Sequence, residues 1–230
     1  MEIRIVKQIL EWNEDVSSDI IKELDEKKVC LINLMGSPGA GKTSLIKKLI
    51  EALKDRYRIG IIEGDVAGQI DAETIEALGI PVVQLQTDGA CHIEALSIQN
   101  ILPMFDTRDL DVLIVENIGN LVCPAEFNIG EDFRITVLSV PEGDDKVVKY
   151  PLMFRATDAL VINKSDVLPY FDFDPDRVRR DERDVNPDAP VFAVSSRTGE
   201  GIGEFADWLD RRIAYKLSNG HVLRKPIFSE

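Results

Sequence analysis

The chain has 230 residues, 44% of them hydrophobic, and a formal net charge of −14. That length suits one soluble domain with a sizeable core, and so acidic a balance argues against a nucleic-acid surface, because phosphate binding is driven by Lys and Arg. No apolar run approaches the roughly 20 residues that span a bilayer, the start at Met1-Glu2 lacks the apolar stretch of a signal peptide, and three cysteines are too few for a disulfide framework. A cytoplasmic protein with free thiols and no membrane insertion is expected.

Ile3, Val6, Ile9 and Leu10, then Val16, Ile20, Ile21 and Leu24, recur at helical spacing and predict one or two amphipathic helices over about 1–28. An apolar run from Val29 to Leu34 then reads as a buried strand, with Cys30 as a small core residue. It leads into Gly36-Ser37-Pro38-Gly39-Ala40-Gly41-Lys42-Thr43, followed by a helical pattern from Ser44. Strand, glycine-rich loop and helix in that order are what a P-loop requires. The backbone N–H groups cradle phosphates, Lys42 brings a point charge to the terminal phosphates, and the Thr43 hydroxyl reaches magnesium. The sequence therefore points to a nucleoside triphosphate.

Further strands are read at 59–63, 82–86, 112–116, 135–140, 160–163 and 191–195, with helices near 43–54, 72–78, 94–102, 146–154 and 203–217. Near-continuous apolar strands alternating with helices predict an α/β P-loop NTPase fold, a mostly parallel sheet covered on both faces. One domain spans 1–230, with a loosely held tail over about 219–230. Ligands of such sheets gather at the carboxyl ends of the strands. Three acids are expected there. Glu116 and Asp65 end strands and are assigned to magnesium with Thr43, and Asp71 is a switch acid near the γ-phosphate or else a helix cap.

Asn163-Lys164-Ser165-Asp166 after the run 159–162 indicates which base is bound. An ionised Asp166 accepts from the N1–H and exocyclic amino group of guanine, groups that adenine lacks at that edge, and such sites discriminate by about 10⁴ or more. The Lys164 stem covers a base face and Asn163 braces neighbouring loops. Ser195, Ser196 and Arg197 follow another apolar run and are expected to offer backbone N–H groups to the guanine carbonyl. GTP and GDP are thus the expected ligands, with magnesium.

Cys91, His92 and Cys123 lie near strand ends on the nucleotide side. Thiolate and imidazole suit nickel or zinc, and three ligands leave one position open for transfer. Pro124 is expected to keep Cys123 extended and out of a helix.

The stretches Glu116-Asn117-Ile118-Gly119-Asn120-Leu121-Val122-Cys123-Pro124-Ala125, Ser139-Val140-Pro141-Glu142-Gly143-Asp144-Asp145-Lys146 and Lys149-Tyr150-Pro151 resemble those of the hydrogenase nickel-incorporation GTPases, the HypB family. So do Gly64-Asp65-Val66 with Asp71-Ala72, and Cys91-His92-Ile93-Glu94-Ala95. The resemblance covers nearly the whole chain. It implies slow GTP hydrolysis, GTP-dependent homodimerisation, and loading of nickel into the large subunit of [NiFe] hydrogenase with a second maturation factor. Lys146 and Lys149, at i,i+3 spacing, then become candidates for the dimer interface, or else a solvated basic pair. The chain shows no amino-terminal Cys-x-x-Cys-Gly-Cys segment and no His-rich tract, so a separate storage site for nickel is not expected. Asp88 replaces a usual Gly and Arg197 a usual Lys. A urease-accessory or cobalamin-enzyme GTPase, and a regulatory switch without metal transfer, are the alternatives.

Overall fold

The computed structural model describes residues 2–64, 79–86 and 89–220. The expected helix at 72–78 and the tail beyond Gly220 lie outside them. The N-terminal segment is one helix, α1 (Glu2–Lys27). Its buried residues Asn13, Val16, Ser17, Ile20 and Leu24 form one stripe. Lys28 stops it in the left-handed region at φ 55°. There Lys28 N–H closes on the Asp25 carbonyl at 3.1 Å and Val29 N–H on Leu24 at 2.9 Å, which satisfies the last carbonyls of the helix.

Strand β1 (Cys30–Gly36) follows, then α2 (Lys42–Leu53), β2 (Ile59–Glu63), β3 (Val82–Gln84), α3 (Ala95–Ile101) and β4 (Val112–Glu116). After these come α4 (Cys123–Glu126), β5 (Phe133–Ser139), α5 (Lys146–Lys149), α6 (Pro151–Arg155), β6 (Ala159–Asn163), α7 (Pro175–Val185), β7 (Val191–Ala193) and α8 (Ile202–Asn219). Among the described residues the strands make a seven-stranded sheet in the order β3-β2-β4-β1-β5-β6-β7. Every pairing is parallel. β1, β2, β4, β5 and β6 are buried throughout, the reason their sequences read as continuous apolar runs rather than alternating ones.

Side chains leave β1 in alternation. Cys30, Ile32 and Leu34 pack under α2 and α8 with Leu45, Leu49, Phe205 and Leu209. Leu31 faces the other way, into the core beneath α1 and α3, with Ile20, Ile98 and Val115. A third cluster under α6 and α7 includes Met153, Phe154 and Val178. The Lys216 ammonium, 2% exposed, joins Asp132 at 2.9 Å and also pairs with Asp25, tying α8 to α1 beneath the sheet. No helix among the described residues is long and apolar enough to cross a membrane.

Helices α5, α6 and α7 differ from the sequence reading. The helix expected over 146–154 is split into α5 and α6 at Tyr150, whose φ of −129° and ψ of 55° are non-helical. Pro151 is the cause, since its ring bars the preceding residue from helical geometry. Helix α7 has no counterpart in the sequence pattern. Nine of its eleven residues Pro-Asp-Arg-Val-Arg-Arg-Asp-Glu-Arg-Asp-Val are charged or proline, so only Val178 and the end at Val185 carry an apolar signal.

That helix hides one acid. Glu182 is fully buried, and neither carboxylate oxygen has a hydrogen-bond partner among the described residues. Burial pushes its pKa from 4.5 up to about 8. An acid whose folded pKa is raised holds its proton in the folded state and loses it in the unfolded one between these values, so stability falls as pH rises through that window. Glu182→Gln should remove this decline, which amounts to up to about 1.4 kcal/mol per pH unit. Urea midpoints at pH 5, 6.5 and 8 check it; parallel pH dependence in parent and variant would refute it.

Candidate functional site

The P-loop springs from the carboxyl end of β1 and caps α2. Gly41 is the helix N-cap, with φ 90° in the left-handed region, and a Cβ there would stand 2.5 Å from Asn163 Nδ2. Both facts demand glycine. The Lys42 side chain is folded back over the loop, donating to the carbonyls of Ser37 at 3.2 Å and Gly36 at 3.4 Å. Ammonium and loop are therefore held together at the place where phosphates would lie.

Thr43 Oγ1 donates to Glu116 Oε1 at 2.9 Å. Helix α2 and strand β4 thereby bring a hydroxyl and a buried carboxylate together, a hard-oxygen pair suited to magnesium. The donor set fits the ion. Asp65 and Asp71, expected beside them, lie outside the described residues.

Asn163, at the end of β6, spans two loops. Its Nδ2 donates to the carbonyls of Ala40 at 3.1 Å and Gly41 at 3.3 Å, and its Oδ1 accepts from the N–H and hydroxyl of Ser196 at 3.1 and 3.0 Å. Lys164 sits in the left-handed region at φ 61° and reaches back to the Gly39 carbonyl at 2.6 Å. Its stem thus runs along the P-loop. A cavity of about 450 Å³ opens between these loops, lined by Gly41, Ser44, Lys164, Asp166, Ser196 and Arg197.

The expectation for the last loop needs correction. Ser195 N–H is bonded to the Glu200 carbonyl at 2.9 Å, and Ser196 N–H is taken by Asn163. Neither donor faces the cavity; instead the Ser195 hydroxyl donates to Asp166 Oδ1 at 2.7 Å and orients that carboxylate.

Cys91, His92 and Cys123 converge, with one ligand atom from each lying within 4.8 Å of the others. Cys91 Sγ is 3.4 Å from His92 Nδ1. The His92 ring stacks on Phe127 at 3.9 Å between centroids, and its Nε2 is 3.7 Å from Glu94 Oε1. Burial holds the imidazole below its ordinary pKa against the pull of Glu94 and Glu126, which favours the neutral, ligating form. The hydrogen bond with Cys91, and then burial, push the Cys123 thiol up. Cys123 does not extend the chain as expected: it begins α4, with Pro124 in the first turn, where a missing N–H costs no helical bond.

Side chains that the sequence did not single out hold these ligands. Asn117 Oδ1 accepts from Ile93 N–H at 3.3 Å, and its Nδ2 donates to Asn33 Oδ1 at 3.1 Å. Asn120 Nδ2 donates to the Cys91 carbonyl at 3.2 Å. Arg134, buried in β5, pairs with Glu131 and donates to the carbonyls of Ala125 at 3.2 Å and Phe127 at 3.1 Å. Asn117 and Asn120 stood inside a recognised block without a role; nothing local marks Arg134. Lys146 and Lys149 both engage Asp145, at 3.2 and 2.5 Å, and Lys149 followed by Lys146 holds that carboxyl down at about 2.

Comparison with known proteins shows the family. Residues 30–193 match the family "CobW/HypB/UreG, nucleotide-binding domain". Hydrogenase maturation factor HypB of Azotobacter vinelandii is 41% identical over 215 residues, 94% of this chain and 71% of that protein. Hydrogenase/urease maturation factor HypB of Helicobacter hepaticus is 38% identical, covering 95% and 91%. The crystal structure of HypB from Helicobacter pylori in complex with nickel superposes with a TM-score of 0.84 at 33% identity, covering 93% of this chain and 99% of that one. HypB from Archaeoglobus fulgidus gives 0.84 at 35%, covering 89% and 100%. A P-loop, the strand-end acid Glu116 and the Cys-His-Cys cluster thus occur in a chain whose relatives over nearly its full length are HypB maturation factors, and the chain belongs to the CobW/HypB/UreG nucleotide-binding family, within its group of HypB hydrogenase maturation factors.

Proposed function

We propose that this protein hydrolyses GTP in the cytoplasm and uses the nucleotide cycle to deliver nickel during hydrogenase maturation, with a second nickel maturation factor and the hydrogenase large subunit as partners. The observation that carries the reading is the convergence of Cys91, His92 and Cys123 within 4.8 Å on the loops that leave the nucleotide edge of the sheet. The relatives' roles support the destination of the metal. Urease is a second destination, favoured by the Helicobacter hepaticus relative named for both enzymes.

Guanine specificity is supported by Asp166, held by Ser195 at the cavity edge. Recognition of the base carbonyl falls to Arg197, since the other N–H groups of that run are bonded elsewhere. Thr43 and Glu116 would hold magnesium, which neutralises charge on the phosphates when bound. Lys42 moves from carbonyl partners to phosphate, and Asn163 keeps the P-loop and the base loop in register. The residues assigned to the phosphates and magnesium, Lys42, Thr43 and Glu116, are positioning groups, so turnover on the order of 10⁻³ s⁻¹ is expected, as in unassisted GTPases. Asp166→Asn should move preference from guanine to xanthine, by the complementary donor pattern, and Lys42→Ala should abolish tight triphosphate binding. Turnover of ATP equal to that of GTP by the parent would refute the assignment.

Nickel or zinc at the cluster must displace thiol protons, so affinity should fall with falling pH. Metal titration of the parent and of Cys91→Ala/Cys123→Ala at pH 6, 7 and 8 tests this. The double variant should lose the site and keep GTP binding; equal affinities in the two proteins would refute the site.

GTP with magnesium should also join two subunits. Lys146 and Lys149 already share Asp145, so their role across an interface requires exchange of that partner. Sedimentation with a non-hydrolysable GTP analogue should show a dimer, weakened by Lys146→Ala/Lys149→Ala. A monomer at high protein concentration would refute dimerisation, and an unweakened dimer would refute the role of these lysines.

A further inference from the structure

The three candidate ligands come from two segments that are distant in sequence. Cys91 and His92 precede α3; Cys123 begins α4. Convergence of their ligand atoms requires both segments to be fixed relative to each other. Asn117 holds the first through Ile93, and Arg134 holds the second through Ala125 and Phe127. A third residue grips both. Asn13, 5% exposed on α1, accepts at Oδ1 from Ala95 N–H at 2.9 Å and donates from Nδ2 to the Asn128 carbonyl at 2.7 Å. Ala95 opens the helix that follows Cys91 and His92, and Asn128 lies just beyond the helix that Cys123 begins.

The amide can face only one way. Ala95 N–H is a donor and the Asn128 carbonyl an acceptor, so the side chain must present one acceptor and one donor, and among short side chains only Asn has both on one planar group. Its carrier is rigid. Glu14, the next residue on α1, accepts from Asn128 Nδ2 at 3.3 Å, and the far end of the helix is tied to α8 through Asp25 and Lys216.

We propose that Asn13 is a positioning residue of the metal site, setting the separation of the Cys91-His92 and Cys123 segments from the N-terminal helix. This rests on reading those three residues as the cargo site. Groups that orient metal ligands from outside the coordination shell change affinity by about 10–100-fold when removed. Asn13→Leu removes both bonds while keeping four side-chain heavy atoms branched at Cγ. Asn13→Asp keeps the acceptor for Ala95 N–H and sets an oxygen against the Asn128 carbonyl, so it disturbs the Cys123 side alone.

The test is Ni(II) titration of the full chain against a competing chelator, following thiolate-to-nickel charge-transfer absorption, with GTP-analogue affinity and urea midpoint measured on the same samples. The parent should show the band and Cys91→Ala/Cys123→Ala should lose it; a parent without the band would overturn the cargo-site reading. Given the band, Asn13→Leu should weaken nickel binding about 10–100-fold and shift the band, Asn13→Asp should weaken it less, and GTP-analogue affinity should stay at the parent value. Parent-like nickel affinity and spectrum in Asn13→Leu would overturn the proposal. Equal losses of nickel and nucleotide binding in both variants would overturn it too, by showing general structural support instead.

Discussion

Gly36 ends β1 at φ +147°, and a Cβ there would lie 2.3 Å from the Val137 carbonyl of the neighbouring strand. The chain leaves the sheet at this point only because there is no side chain. Its own carbonyl accepts Asn120 N–H at 3.0 Å and the Lys42 ammonium at 3.4 Å. One backbone group therefore touches the P-loop lysine on one side and the loop after β4 on the other, and the nucleotide loop and the candidate metal cluster are built outward from it.

From that carbonyl the path to the ligands is short. Asn120, bonded to Gly36 through its backbone, donates from its side chain to the Cys91 carbonyl and accepts from Val122 N–H at 2.8 Å, immediately before Cys123. The same loop leaves β4 at Glu116, whose carboxylate holds Thr43. A ligand shifts a network only through contacts that differ between states. Lys42 and Thr43 are the groups whose partners would change on binding of a nucleotide, and both are joined to the loop that carries Cys123.

Much of this edge was legible because its signals are local. A strand, a run of glycines and a lysine within eight residues define the P-loop, and Asn163-Lys164-Ser165-Asp166 follows an apolar strand directly. Strand centres were equally plain, since parallel strands buried on both faces leave uninterrupted apolar runs. What stayed hidden is non-local or chemically ambiguous. The charged α7 buries only a few side chains, and Pro151 divides a stretch whose apolar spacing alone suggests one helix. The N–H groups of Ser195 and Ser196 looked available because their partners, Glu200 and Asn163, are set by the turn and by a strand far away in sequence. Asn13, Asn117 and Arg134 act through backbone groups of other segments, a relation that no spacing rule contains.

The two faces of the sheet explain why such residues are tolerated. Towards α2 and α8 the central strands present Ile32, Leu34, Ile114, Phe133, Ile135 and Val137, a dry surface that supplies burial free energy. The opposite face carries Asn33, Asn117 and Arg134, all essentially buried. Buried polar groups contribute little net stability, whereas removing one partner of a buried ion pair costs about 3–5 kcal/mol. Their bonds go to Ile93, Ala125 and Phe127, the segments that carry the cysteines and the histidine. Apolar residues on both faces hold the fold together, while the polar residues of this second face tie down the loops that carry the candidate metal ligands.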